Sequence, residues 1–181
     1  MKFIKSFLIL SIAIIGFSST DVQAQRATNT KSIEEKVFKE IITLPYYGVF
    51  DNIKFKVDGN TVTLYGKVNS LGVKKSAERV VKRIDGVENV VNNIENLPPS
   101  SFDDLIRRNV IRSFARNGGS LYRYLQEPQP SMRIIVDGGN IALEGFVSNR
   151  GDYNLANILA SGIPGVFSVE NNLVVGKEQV R

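Results

Sequence analysis

The side chains available for chemistry are carboxylates, lysines, tyrosines and hydroxyls, because the 181 residues include no histidine and no cysteine. This composition excludes thiol catalysis, imidazole acid-base chemistry and the usual zinc sites. Asp58 and Asp137 stand out because they occupy matching places in two similar stretches. Each lies in a predicted hairpin turn, where aspartate forms local hydrogen bonds, so neither needs a catalytic role. We predict no catalytic residues, no metal site and no cofactor.

The elements that hold these aspartates come from an internal duplication. Residues 57–94 align without a gap with residues 136–173 at an offset of 79, and fourteen of the 38 pairs are identical. The stretches "VDGNTVTLYGKV" and "VDGGNIALEGFV" open the two copies. Similarity at a fixed spacing over this length indicates a repeated structural unit.

Both copies predict the same order of elements. Alternating apolar residues around the turn at 58–60 predict a β-hairpin, residues 71–84 have helical spacing, and residues 87–94 read as a third strand. Capping-box sequences that begin at Ser32 and Ser101 predict a helix before each hairpin. We therefore predict an α+β fold of two tandem αββαβ modules, each a small three-stranded sheet covered on one face by two helices.

The copies differ in one insertion. Their first helices are offset by 69 rather than 79, so ten residues have been added in the second copy before its first strand. Glycines and prolines predict that this insertion, at about 117–130, is a loop. The repeated asparagine pairs at 92–93 and 171–172 are interpreted as strand-end or turn residues. The predicted boundaries are a signal peptide at 1–24, a flexible N-terminal segment at 25–31, module 1 at 32–97, a linker at 98–100, module 2 at 101–175 and a tail at 176–181.

The first residues are typical of an export signal. Lys2 and Lys5 precede an apolar run at 7–17, and small side chains precede Ala24. We predict cleavage after Ala24; an uncleaved anchor is the alternative. No later segment is apolar over enough residues to span a membrane. Removing residues 1–24 lowers the net charge from +5 to +4, which is too weak a bias to predict a nucleic-acid partner.

The duplicated sequence resembles the BON domain family. The resemblance rests on "VDGNTVTLYGKVNS", the helix containing Ala77 and "IDGVENVVNNI" in the first copy, and on "VDGGNIALEGFVSN" and "IPGVFSVENNL" in the second. It covers nearly all of residues 32–175. It implies a soluble periplasmic protein that binds phospholipid membrane surfaces or envelope components, often in osmotic or envelope stress. It implies no catalytic residues.

The helix predicted at 71–84 carries the strongest candidate for a binding surface. Its polar side lies opposite the apolar stripe and has one acidic residue, Glu78, among the cations. Such a face could contact an anionic phospholipid surface, or it could be an ordinary solvated helix face. The candidate contacts are Lys74, Lys75, Arg79, Lys82 and Arg83.

The matching helix of the second copy has a neutral outer side, which packing alone does not require. We hypothesise that it docks against a protein partner or against the other module. Its candidate residues are Tyr153, Asn154, Asn157 and Ile158. In the inserted loop, Tyr122, Arg123 and Tyr124 are predicted to be exposed contacts, because the first copy has no equivalent.

Three aromatic rings lie in "LPYYGVFD", residues 44–51, before the first strand. They could insert at a lipid interface or bind a glycan, but we favour a role in closing the end of the small core. Taken together, the sequence predicts a non-catalytic periplasmic binding protein for phospholipid surfaces or envelope components. A protein-interaction or chaperone-like adaptor is the alternative. A carboxylate hydrolase of glycans is a third class, but it lacks a recognisable site.

Overall fold

A computed structural model describes residues 33–176, which form two modules in sequence. The predicted signal peptide, its cleavage after Ala24, segment 25–31 and the tail beyond Gly176 lie outside the described residues. Module 1 contains α1 (residues 33–42), β1 (Asn52–Asp58), β2 (Thr61–Val68), α2 (Leu71–Val81) and β3 (Asn89–Asn96). Module 2 contains α3 (Ser101–Asn117), α4 (Leu121–Gln126), β4 (Met132–Asp137), β5 (Asn140–Val147), α5 (Arg150–Ser161) and β6 (Ser168–Val175).

The two sheets have the same topology. In module 1 the order is β1-β2-β3, with β1 antiparallel to β2 and β3 parallel to β2. In module 2 the order is β4-β5-β6 with the same directions. The parallel pairs require a crossover, which α2 and α5 supply. The predicted α+β fold of two tandem three-stranded modules is confirmed.

Each module has its own apolar core between the sheet and the helices. Val62, Leu64 and Ile94 point into the core of module 1 and are fully buried. Ile141 and Leu143 lie 79 residues after the first two of these and occupy the same places in module 2. The alternation that predicted the strands therefore also identifies the core-facing residues.

One repeated glycine in each sheet is required by a close backbone approach. Gly66 in β2 has φ of 119°, and a Cβ atom there would lie 2.2 Å from the carbonyl oxygen of Asn52. Gly145 in β5 has φ of 103°, and its Cβ would lie 2.1 Å from the carbonyl oxygen of Ser131. Both the conformation and the space exclude any other residue, which explains the repeated Leu-x-Gly-x-Val sequence.

Two predictions about local structure are wrong. The insertion at about 117–130 is not wholly a loop, because it contains α4, whose Leu121 and Leu125 are buried in the core of module 2. Asn92 and Asn171 are not strand-end or turn residues, because each is the fourth residue of an eight-residue strand. In both cases contacts with distant parts of the chain decide the conformation, and the local sequence pattern does not show them.

The segment between α1 and β1 joins the two modules. The carbonyl of Val49 accepts a hydrogen bond of 2.7 Å from the amide of Ile134 in β4. Arg133 donates through Nη1 to the carbonyl of Gly48 at 2.8 Å, and its guanidinium lies 4.2 Å from the ring centroid of Tyr47. Tyr47 packs against the core of module 1, whereas Phe50 packs against the core of module 2. Tyr47 and Phe50 therefore close one core each, and the sequence interpretation missed the core of module 2. It is wrong for Tyr46, which is 89 % exposed.

Candidate functional site

Helix α2 presents the predicted basic residues to solvent. Val73, Ala77 and Val81 bury the opposite side of the helix in the core of module 1. The helix ends at Val81, three residues earlier than predicted, so Lys82 and Arg83 lie just beyond it. Lys75, Arg79, Lys82 and Arg83 are exposed, and Lys74 is half-buried.

The cations of this surface are not equivalent. Lys82 forms an ion pair of 2.5 Å with Glu78, and this hydrogen bond, with a second one from Asn92, holds the pKa of Glu78 below its ordinary value. Within residues 33–176 no ion pair is formed by exposed Lys75, Arg79 and Arg83, nor by half-buried Lys74. The positive charge that this surface presents to solvent therefore comes mainly from the three exposed side chains.

An apolar side chain lies next to these cations. Leu71, the first residue of α2, is 68 % exposed. Because residues four and seven positions apart share one side of a helix, Leu71 lies on the same side as Lys75 and Glu78. Exposed apolar residues beside cations are typical of helices that lie in the interface of a membrane. We call Leu71, Lys75, Arg79, Lys82 and Arg83 the basic face.

The neutral outer side of α5 is exposed and is not covered by module 1. Tyr153, Asn154, Asn157 and Ile158 line a shallow depression of about 380 Å³, and Ile158 is 65 % exposed. Arg150 lies above the ring of Tyr153, 4.2 Å from its centroid. The hypothesis that this side docks against the other module is therefore wrong, and docking against a separate partner stays a prediction.

Of the three predicted contacts in the insertion, only Arg123 is exposed. Tyr124 is 5 % exposed, so the expectation that it faces solvent is wrong. Its hydroxyl donates to Asp152 at 2.6 Å and accepts from the amide of Ser148 at 2.9 Å. Tyr122 is half-buried against the core of module 2. Tyrosines that close a core and satisfy a buried carboxylate have a structural role.

Charged residues join the helix-free faces of the two sheets. Lys54 of β1 lies 2.8 Å from the Glu144 carboxylate, and Lys67 of β2 lies 2.5 Å from the Asp137 carboxylate. The hydrogen bond to Asp137 outweighs the effect of burial and raises the pKa of Lys67. Asp137 thus has a role in joining the modules, whereas its counterpart Asp58 is exposed.

A cleft of about 850 Å³ opens between the modules. One wall is formed by α1 and β1, including Phe38, Ile42 and Phe55, and the other by Phe146 and Val174 of module 2. The end of the insertion, at Glu127, Gln129 and Pro130, also lines it. Sequence reasoning missed this cleft because it depends on how the modules are arranged.

In residues 33–176 no cluster of three or more acidic side chains has an arrangement that could hold a metal ion. Over the same range, no helix has the length and apolar character needed to cross a membrane.

The comparison with protein families decides the classification. The model of the BON domain matches residues 29–98 and again residues 102–177. The chain belongs to the BON domain family. The two matches coincide with the two modules, so each module of this BON domain protein is one copy of the domain.

Comparisons with single proteins add little. No curated protein matches the chain. Among solved structures, the chain is similar to CdsD, a structural protein of the type III secretion system of Chlamydia trachomatis, with 11 % identity and a TM-score of 0.31, over 80 % of this chain and 92 % of that one. The C-terminal domain of CdsD matches with 13 % identity and a TM-score of 0.27, over 78 % and 96 % of the two chains.

Proposed function

We propose that this BON domain protein is a non-catalytic periplasmic protein that associates with anionic phospholipid surfaces through the basic face. Its export relies on the predicted signal peptide, cleaved after Ala24. The observation that carries the proposal is the exposure of Lys75, Arg79 and Arg83 beside exposed Leu71. BON domains are associated in general with phospholipid binding and with envelope and osmotic-stress proteins, which supports a role in tolerance of such stress.

The expected affinity is modest and depends on salt. A cation near an anionic membrane surface contributes about 1 kcal/mol, so the three exposed cations without ion pairs contribute roughly 3 kcal/mol. Lys82 adds less because Glu78 already neutralises it. Screening over about 8 Å at physiological ionic strength weakens such contacts further. The proposal therefore describes reversible surface binding rather than stable anchoring.

Vesicle flotation tests the proposal. The mature protein is mixed with vesicles of neutral lipid or of neutral plus anionic lipid, at low and high salt. The test variant carries Lys75→Glu, Arg79→Glu and Arg83→Glu. The matched control carries Arg108→Glu, Arg112→Glu and Arg116→Glu, which reverse three exposed cations of α3.

We expect the wild type to float only with anionic vesicles, and less at high salt. The α2 variant is expected to lose roughly 100-fold in partitioning, which corresponds to about 3 kcal/mol. The α3 variant is expected to keep most of the binding. Equal losses in both variants would indicate a general effect of net charge, and no flotation of the wild type would rule the proposal out.

A protein-interaction or chaperone-like adaptor is the second candidate function. It is favoured by Ile158, an exposed apolar side chain in a neutral depression of an otherwise charged protein. Exposed apolar residues on such surfaces often mark interaction sites. Ile158→Arg is expected to abolish cross-linking to a periplasmic partner, whereas the α2 charge-reversal variant keeps it. Cross-linking that persists in Ile158→Arg would exclude this face.

A further inference from the structure

The first strands of the two modules differ in how their outer edges are covered. Both β1 and β4 lie at the edge of a sheet, so each has one row of backbone groups with no neighbouring strand. In β4 the amide of Ile134 donates to the carbonyl of Val49 at 2.7 Å. The carbonyl of Val136 accepts from Nη2 of Arg107 at 2.6 Å. The edge of β4 is therefore covered by backbone and by an arginine.

The same edge of β1 is uncovered over its second half. Phe55 and Val57 lie 79 residues before Ile134 and Val136, and within residues 33–176 no side chain or connecting segment bonds to their backbone. The backbone amide of Ile53 donates to the Tyr47 hydroxyl at 3.0 Å, so the backbone polar groups of Ile53 point away from β2. Every second residue of an antiparallel edge strand directs its backbone N–H and C=O groups away from its neighbour. The backbone groups of Phe55 and Val57 therefore point outward as well.

The residue that covers the edge in module 2 is replaced in module 1. Arg107 of α3 corresponds to Phe38 of α1 at the offset of 69 that relates these helices. Phenylalanine has no donor for the carbonyl of Val57, and Phe38 instead lines the cleft between the modules. The substitution converts a covered strand edge into an open edge beside an apolar helix.

The cleft follows this open edge. All six residues from Asn52 to Val57 line it. Successive side chains of a strand point to opposite faces, so a cleft lined by all six follows the backbone edge rather than one face. Phe38 and Ile42 of α1 form the near wall, and Phe146 and Val174 form the far wall. The volume of about 850 Å³ is within the range of ligand-binding clefts.

We propose that this cleft binds an extended peptide of another protein, which adds a strand to the edge of β1. The peptide backbone pairs with Phe55 and Val57. Its apolar side chains, at alternate positions, contact Phe38 and Ile42 of α1, and the side chains between them face the wall formed by Phe146 and Val174. Strand addition with pockets for alternate side chains is a common mode of peptide recognition.

The cleft itself limits the chemistry of its occupant. The outward backbone groups of Phe55 and Val57 can be paired only by an extended backbone. The apolar side chains of Phe38 and Ile42 lie on the helix side of this edge, so they favour valine-like or aromatic side chains at alternate positions of the occupant. Lys56 is exposed and forms no ion pair within residues 33–176, so an acidic side chain opposite it adds a favourable cross-strand pair.

Fluorescence anisotropy with a synthetic peptide tests the proposal on the full mature chain. The labelled peptide has about seven residues, the length of a typical strand, with valine or phenylalanine at alternate positions and aspartate or threonine between them. A second peptide carries proline at its central position, which removes a backbone donor while keeping the apolar content.

Two protein variants and a control locate the binding. Phe38→Arg introduces the residue that covers the edge in module 2, and Val174→Glu places a charge on the far wall at a side chain that is 54 % exposed. Val91→Arg changes an exposed side chain of β3 that does not line the cleft. Circular dichroism and the unfolding midpoint of each variant show whether it is folded; Val174→Glu carries the test if Phe38→Arg is not.

We expect the alternating peptide to bind saturably, and the proline peptide at least about tenfold more weakly because it cannot complete the strand pairing. Phe38→Arg and Val174→Glu are expected to lose at least about tenfold, and Val91→Arg to bind as the wild type. Absence of saturable binding, or equal binding of the proline peptide, overturns the proposal. So does a concentration-dependent dimer that Phe38→Arg abolishes, because the occupant is then a second copy of the chain.

Discussion

The side-chain amide of Asn92 donates a hydrogen bond to the backbone carbonyl of Lys74, 3.1 Å away, and so ties β3 to α2. In module 2, Asn171 makes the same bond of 3.0 Å to the carbonyl of Tyr153. Each asparagine also accepts through Oδ1 from the amide two residues further on. The repeated asparagine therefore holds the outer helix against the sheet, and in module 1 that helix carries the basic face.

Asn92→Ala is expected to lower the free energy of unfolding by about 1–2 kcal/mol, because it removes a helix-to-strand hydrogen bond in a half-buried place. Asn93→Ala, one residue further on and exposed, is the matched control and is expected to change it by less than about 0.5 kcal/mol. Urea unfolding of both variants measures the difference. Equal effects would contradict the role assigned to Asn92.

Gly66→Ala is expected to cost more than about 3 kcal/mol, because it combines a left-handed conformation with a Cβ atom that overlaps the carbonyl of Asn52. Gly72→Ala in α2 has open space around it and is expected to stabilise the protein by about 0.5–1 kcal/mol. Thermal unfolding of the two variants checks both signs. A tolerated Gly66→Ala would show that the strand can shift away from Asn52.

Arg133→Ala is expected to lower the free energy of unfolding by about 1–3 kcal/mol, because it leaves the carbonyl of Gly48 without its donor and removes the contact with the Tyr47 ring. Arg108→Ala, an exposed arginine of α3, is the control and is expected to have little effect. Hydrogen exchange then locates the loss, with faster exchange expected at Ile134. Unchanged exchange there would mean that the modules are held together elsewhere.

Asp152 links stability to acid pH. Burial alone would raise its pKa, but hydrogen bonds from Ser120, Tyr124 and Asn149 outweigh burial and hold the pKa below its ordinary value of 3.8. A lowered pKa contributes stability above about pH 4 that is lost as the pH falls through the folded-state value. The difference in unfolding free energy between wild type and Asp152→Asn is therefore expected to shrink between pH 7 and about pH 2.5. A difference independent of pH would contradict the charged state of Asp152.

The duplication made most of the fold predictable. Turn residues such as Asp58, the alternating apolar residues and the helical spacing of 71–84 are local signals, and each appears twice. The predictions that were wrong concern residues whose neighbours come from distant parts of the chain. Tyr124 was predicted to be exposed because it lies in an insertion, yet the buried carboxylate of Asp152 and the amide of Ser148 both bond to its hydroxyl.

The basic face was predictable because one short segment shows both its charged residues and its helical spacing. The cleft was not, because no local pattern places the outer face of one sheet against the edge of the other. A signal was nevertheless present in the comparison of the copies: Phe38 stands where the second copy has Arg107. A charged residue in one copy that is apolar at the matching position of the other copy indicates a place where the surroundings of the two modules differ.

The most direct test of lipid binding is to ask which face touches the membrane. The chain contains no cysteine, so Leu71→Cys can carry a single environment-sensitive fluorophore. Arg150→Cys, the matching position of α5, is the control. With anionic vesicles we predict a blue shift and protection from aqueous quencher for the label at position 71, and no change at position 150. A response at position 150 alone, or at neither position, would contradict the claim that α2 is the membrane-contacting helix.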